Sequence, residues 1–402
     1  MKKFITDIKN NILFEESNII DTNQVIESIE VGDIKSKFDG MGGALTQASN
    51  INYNILSLEQ EEVFLKSYFE ELKYRYIRLP IGSCDFSERT YDYLDHKNFD
   101  IGLDKIYIQP MLKDIMKYNL TYMASPWSPP RRYKNLFNTR LRRSKYEAYA
   151  DYLVNYLNYY KDFGINIKYI SIQNEPYAMQ RWESCKFNYK EQKEFIKVLS
   201  TKLDDNTSIM LHDHNKKNLC NNIDNTYMDN EKIKAIAFHW YDGSHFEELA
   251  KVHEKYPDLK LIESEMCCGY SSYNPTRWIK DAELYANEII GNLNNYMNIY
   301  MDWNLLLDEY GGPNHKKNYV KSPIIRVEDK IVKTPIFYYL KHISLHQKSN
   351  IYEVKNNSEL KVLVSDKYIT ILNNTKKDIS FNILDIKDTI KKHTIITYKK
   401  EA

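Results

Sequence analysis

The amino-acid sequence predicts a (β/α)8 barrel of the TIM-barrel type, with a small antiparallel β-sandwich appended from both termini. Two patterns carry that prediction. Between about residue 38 and residue 305, eight short apolar runs alternate with amphipathic stretches, the order that closes parallel strands into a barrel. Outside that span the chain changes to short alternating segments bounded by Asn, Asp and Lys, which read as strands. A doubly wound open sheet is the competing arrangement, but eight such units in succession favour closure.

The expected barrel strands are, in order, Phe38 to Thr46, Tyr74 to Gly82, Leu120 to Trp127 and Ile167 to Glu175. Then follow Ser208 to His214, Ile233 to Tyr241, Leu259 to Glu265 and Met297 to Asn304. Helical stretches such as SLEQEEVFLKSYFEEL and SKYEAYADYLVNYLNYYKDFG lie between them, with apolar residues recurring at three and four. The barrel is therefore placed in residues 38–319. Residues 1–37 and 320–402 are assigned to the sandwich. YEVK, LKVLVSD, KYITILNN and HTIITYKK read as its strands, and a helix at TPIFYYLKHISLHQ precedes them.

Composition narrows the function classes. A chain of 402 residues with 43% hydrophobic and 28% charged residues can bury a large core. With 12 glycines and 11 prolines, collagen and low-complexity linkers are excluded. Lys and Arg number 56 against 55 Asp and Glu, so no nucleic-acid footprint is present. The five cysteines form no C-x-x-C pair, which argues against a zinc site or a disulfide framework and fits reduced thiols in the cytoplasm. The N-terminal residues lack the apolar stretch of a signal peptide, and no apolar run approaches a membrane span, so a cytoplasmic location without stable membrane insertion is expected. Gly40, Gly42 and Gly43 open like a dinucleotide fingerprint, but Leu45 takes its sixth position. No phosphate cradle follows, and no cofactor is expected.

Barrels place their chemistry at the C-terminal ends of the strands. Those ends carry Arg78 and Asp85, Ser125 and Trp127, Asn174 and Glu175, His212 and Asp213, His239 and Tyr241, Glu265, and Asp302, Trp303 and Asn304. Carboxylates and amides at such positions suit a polyhydroxylated ligand, and indole rings stack on the C–H faces of a sugar. Glycoside hydrolysis needs two carboxylates flanking one bond. Glu175, followed by Pro176, closes the fourth expected strand; Glu265 closes the seventh, across the opening. Glu263 is a rival to Glu265 on the same face, or a barrel-interior charge paired with a neighbour such as Arg78. Asp85 is either a sugar acceptor or a salt-bridge partner of Arg78 or Arg89. His239 reads as a structural hydrogen bonder near Glu265. Cys267 reads as a pocket-lining thiol, and Trp182 as a wall of the leaving-group site or a packing residue. A metal held by His212, Asp213 and His214 is disfavoured, since adjacent residues cannot all face one ion.

The motifs GMGGALTQAS, LPIGSCDFSERTYDY, ASPWSPP, QNEP, HWY, SE followed by Cys267, and DWNLLLDEYGGPN occur in that order. Together they resemble glycoside hydrolase family 30, the glucosylceramidase family, from about residue 38 onward. The resemblance implies retaining hydrolysis of a β-glycoside substrate, with Glu175 as acid/base and Glu265 as nucleophile. It implies sugar contacts at Asp85, Trp127, Asn174, Tyr241, Trp303 and Asn318. Negative charge on Glu265 is then expected to raise the pKa of Glu175. YAMQRWESCKF after the acid/base is closer to bacterial members, and His315 stands where the animal enzymes carry an aromatic residue. A terminal β-glucoside is the expected substrate; a β-1,6-glucan, a β-xyloside, or glycan binding without hydrolysis are the alternatives.

Overall fold

The computed structural model describes residues 1–19, 27–96, 98–268, 277–317, 319–320 and 322–401. Eight parallel strands close into a ring. They are β1 (Gly40–Ala44), β2 (Tyr76–Ile81), β3 (Thr121–Pro126) and β4 (Ile167–Ser171). β5 (Ser208–Asn215), β6 (Ile233–His239), β7 (Lys260–Glu265) and β8 (Met297–Asp302) complete it. Each overlaps one expected run. The ring closes where β8 pairs with β1, Ile299 opposite Gly40 through Asp302 opposite Gly43. Gly42 is required there, because a Cβ would collide with the Tyr76 carbonyl of β2.

Inward side chains fill the ring. Met123, Tyr169, Met210, Ala237, Ile262 and Met301 form one buried cluster drawn from six strands. This makes the barrel a packed core, with room for a ligand only at its mouth. The helix Tyr146–Asp162 buries Tyr149, Tyr152, Leu153, Tyr156 and Tyr160 along one face, at the spacing of a helical stripe. Several of the chain's many tyrosines thus serve as core.

The terminal segments form two further sheets. One orders Lys361–Val364, Tyr368–Asn373, Thr394–Lys399, Lys2–Asp7 and Ile12–Ser17, all antiparallel. The other orders Ser349–Asn356, Glu27–Phe38, Ile379–Ile383 and Ile386–Ile390. Ile29, Val364, Ile371, Phe381, Ile390 and Ile396 pack between them as a second core. One pair departs from the expected antiparallel pattern. Phe381 to Ile383 run parallel to Glu27 to Ile29, because strands from opposite ends of the chain meet without a hairpin to fix their sense. The expected helix forms as Pro335–Ser344 and packs on the barrel helix Trp278–Leu293.

Candidate active site

The mouth is shaped first by backbone. β4 stops at Ser171, short of its expected end at Glu175. The chain then leaves the ladder: Asn174 N donates to the Pro126 carbonyl at 2.8 Å and Glu175 N to the Asp213 carbonyl at 2.8 Å. Glu175 adopts φ +51°, which no strand residue can hold. The Gln173 amide donates to the Trp127 and Asn174 carbonyls at 2.7 and 2.8 Å. Glu175 is therefore pinned between β3 and β5 rather than projected from a strand end. β5 carries its own irregularity. His212 and Asp213 have φ +74° and +49°, and the register with β6 slips between His212 and His214. That bulge turns the Asp213 carboxylate inward.

A fully buried guanidinium organises the rest. Arg78, on β2, donates to Glu265 Oε2 at 2.7 Å, to Asn174 Oδ1 at 2.8 Å, and to Asp213 at 3.1 and 3.2 Å. Its Nε reaches Ser125 Oγ at 3.2 Å. The guanidinium also lies 4.8 Å from the Trp127 ring, which stacks on Trp303 at 5.0 Å. Glu265 receives a second donor on its other oxygen, the Tyr241 hydroxyl at 3.0 Å. Asp213 is held further by Ser264 Oγ at 2.7 Å and His239 Nε2 at 3.2 Å. Its carboxyl lies far below the usual range, since Arg78 and His239 overcome the effect of burial.

Glu175 faces a different environment. Its Oε2 accepts from Gln180 at 2.9 Å; its Oε1 lies 3.8 Å from His239 Nδ1 and 4.0 Å from His214 Nδ1. Burial alone would lower the pKa of His239, but Glu265, Asp213 and Glu175 push it up to about 9. His239 is thus an imidazolium at neutral pH. Burial would raise Glu175, yet His239, His214 and Gln180 bring its carboxyl below the ordinary value. This corrects the expectation that Glu265 raises it: a cation beside Glu175 outweighs that anion. The linkage is testable. A folded pKa near 9 against 6.5 makes the stabilisation by charged His239 full below pH 6.5 and lost as pH rises through about 9. Melting temperature should therefore fall more steeply between pH 6.5 and 9 in the parent chain than in His239→Gln, as read by scanning fluorimetry.

Glu175 and Glu265 line one cavity of about 370 Å³, with Asp85, Trp127, Asn174 and Tyr241. Gln180, Trp182 and Asn215 complete the wall. Asp85 meets neither Arg78 nor Arg89 in an ion pair among the described residues; burial and the Glu265 charge push its carboxyl well above the usual range. Other expectations change. Glu263 accepts from Asn292 at 3.0 Å instead of pairing with Arg78, and burial pushes it up to about 8. Trp303 stands behind Trp127 and does not face the cavity. Cys267 lies buried beneath Tyr241, whose hydroxyl is 3.3 Å from its sulfur, and is not a lining thiol. His212 bonds the Asn215 carbonyl at 2.9 Å, while Asp213 serves Arg78. Asn318 lies outside the described residues. Gln180 and Asn215 were not anticipated, and His214 was weighed only as a metal ligand. They sit in loops or at the bulge, where no periodicity marks a side chain's direction.

A model of the glycosyl hydrolase family 30 TIM-barrel domain matches residues 38–346, most of the chain and all of the cavity's lining. The chain belongs to glycosyl hydrolase family 30. This is a retaining family. The lysosomal acid glucosylceramidase of Mus musculus is 29% identical over 349 residues, covering 77% of this chain and 67% of that protein. An endo-1,6-beta-D-glucanase of Neurospora crassa is 25% identical over 307 residues, covering 69% and 62%. The crystal structure of SrfJ from Salmonella typhimurium superposes with a TM-score of 0.91 at 27% identity, covering 100% of both chains. The chain spans about two thirds of the length of the curated relatives it matches.

Proposed function

We propose that this family 30 chain is a retaining β-glycosidase that removes a terminal β-linked glucosyl unit, with glucosylceramide-like glucosides as the substrate class. Glu265 attacks the anomeric carbon while Glu175 delivers a proton to the leaving oxygen. Water then cleaves the glycosyl-enzyme, and Glu175 takes its proton. Asn174, its Oδ1 already held by Arg78, turns its amide toward the 2-hydroxyl. Asp85 accepts from further hydroxyls and Trp127 underlies the ring.

One observation carries this reading: of the three carboxylates lining a single cavity, Glu175 and Glu265 stand in contrasting settings. Glu265 is fixed by Arg78 and Tyr241 on both oxygens, which suits an ionised nucleophile. Among the described residues, Glu175 accepts a hydrogen bond from Gln180, with two histidine rings near 4 Å, which suits a group that gains and loses a proton.

Two expected results test the acid/base role. Glu175→Gln should lower kcat/KM for alkyl β-glucosides by about 10²–10⁴-fold. It should lower the rate of the first step far less for dinitrophenyl β-glucoside, whose leaving group needs little protonation. In the parent chain, kcat/KM for alkyl glucosides should fall as pH rises from 5 to about 7, because a depressed Glu175 pKa leaves ever less of the acid form. A pH profile flat for both substrate types would overturn the assignment. A panel of aryl β-glucoside, β-xyloside and β-1,6-linked oligosaccharides, followed by NMR for anomeric retention, selects the substrate. Sugar binding without hydrolysis of any of them would instead support a glycan-binding protein.

A further inference from the structure

The loop after β3 has features the chemistry above does not use. Residues 131–145 fold back on themselves as a finger: Lys134 bridges Leu141, Asn135 N donates to the Arg140 carbonyl at 2.9 Å, and Arg142 N to the Tyr133 carbonyl at 3.0 Å. At the tip stand Leu136 and Phe137, 85% and 81% exposed. Two consecutive large apolar side chains in open water are unfavourable unless something covers them. Nor is the tip slack. Arg131 donates to the carbonyls of Asn135 and Leu136 at 2.9 and 3.0 Å, and Asn135 Oδ1 accepts from Thr139 N at 2.9 Å.

The finger is strongly basic in a chain of net charge +1. RRYKNLFNTRLRRSK holds Arg131, Arg132, Lys134, Arg140, Arg142, Arg143 and Lys145, with no Asp or Glu. Glu191 pairs with Arg140 at 2.5 Å and Glu194 with Arg143 at 2.8 Å. Arg131, Arg132 and Arg142 are exposed and donate to backbone carbonyls, which orient the guanidiniums without cancelling their charge. The result is a rigid apolar tip above a collar of arginines.

This finger also borders the candidate active site. Arg131, Lys134 and Phe137 line a cleft of about 490 Å³, which shares Gln180 and Trp182 with the cavity of the two carboxylates. Met179, 44% exposed, lines the same cleft.

We propose that the 131–145 finger docks the barrel mouth onto an anionic lipid bilayer. Leu136 and Phe137 enter the boundary between headgroups and acyl chains, and Arg131, Arg132 and Arg142 meet lipid phosphates. Apolar insertion and cationic attraction combine in this way at interfacial anchors. Charge complementarity selects an anionic surface, and a protruding tip suits a deformable bilayer better than a preformed protein pocket. No helix among the described residues is long and apolar enough to cross a membrane, so the contact is peripheral. Its link to catalysis rests on the β-glycosidase reading, under which docking brings the cavity to a membrane-borne glycoside.

Flotation of the full chain with vesicles tests the docking without any glycoside. Vesicles of phosphatidylcholine containing about 30% phosphatidylserine should retain at least about tenfold more protein than phosphatidylcholine alone, and salt should weaken the binding. Leu136→Ser/Phe137→Ser and Arg132→Gln/Arg142→Gln should each lose about tenfold in vesicle affinity while keeping the parent melting temperature. Equal binding to both vesicle types, or no binding, overturns the proposal. So does undiminished binding by Leu136→Ser/Phe137→Ser, which marks attraction of a basic surface to any polyanion. Aryl glucoside hydrolysis, measured separately, shows whether the glycosidase reading stands or fails by itself.

Discussion

Glu265→Gln is expected to reduce turnover of aryl β-glucosides on the order of 10⁶-fold, the scale for deleting a covalent nucleophile. An amide cannot attack the anomeric carbon, and activated leaving groups cannot compensate, because the first bond must still form. That separates Glu265 from Glu175, whose loss activated substrates tolerate in the first step. A smaller variant sharpens the test. Glu265→Gly with added azide should regain part of the rate and release the α-glucosyl azide, since azide enters from the face Glu265 occupied. Glu175→Gly should instead give the β-azide, because the covalent intermediate still forms and azide opens it. Glu263→Gln supplies the control. Glu263 is buried against Asn292 and is pushed up to about 8, so it already carries a proton at pH 7. Glutamine there should leave turnover within about tenfold of the parent. Near-normal activity in Glu265→Gln, or azide products from Glu263→Gly, would reverse the assignment.

How far the sequence could lead to this site depended on what kind of signal each residue leaves. Strands and helices write their period into the chain, and all eight barrel strands were legible because apolar runs ended in polar residues. Glu265 was legible for the same reason: it is the last residue of β7. Glu175 was found, but its support was misjudged. Its position depends on a positive φ and two cross-strand backbone bonds, neither of which follows from residue type. The Asp213 bulge was invisible on the same grounds, since a register slip has no side-chain signature. Charge coupling was the larger omission. Glu175 and His239 lie 64 positions apart, and nothing local shows that an imidazolium stands 3.8 Å from the acid/base candidate. Trp303 shows the opposite limit. An indole at a strand end was read as a sugar platform, while its neighbour Trp127 took the cavity face and left Trp303 to pack behind. The basic finger went unread, because a balanced net charge hides a local cluster, and its exposed tip required the fold.

Arg78→Met is the second large effect, and it separates stability from chemistry. Arg78 is fully buried and stands between Asp213, also fully buried, and Glu265. Methionine fills much of the same volume and stacks on Trp127, so the apolar contacts largely survive. What is lost is the cation. Removing one partner of a buried pair costs about 3–5 kcal/mol, because the remaining charge is left without compensation. His239 moderates this, since it stays charged beside Asp213 and Glu175 and is itself held near pKa 9 by Glu265 and those two anions. The sign of the pH response follows. Without Arg78, protonating Asp213 relieves the unpaired charge, so the stability deficit of Arg78→Met should shrink as pH falls from 7 toward 5. Urea denaturation at both pH values reads that difference. Adding Asp213→Asn to Arg78→Met should recover part of the stability, as one neutral amide replaces a lone anion. It should not restore turnover. Glu265 would still lack the donor on Oε2, Asn174 would lose the contact that turns its amide into the cavity, and only the Tyr241 hydroxyl would hold the nucleophile. Recovery of folding without recovery of rate would place Arg78 as a positioning residue for both Glu265 and Asn174. Recovery of both would mean that the carboxylate holds its attacking position through Tyr241 alone.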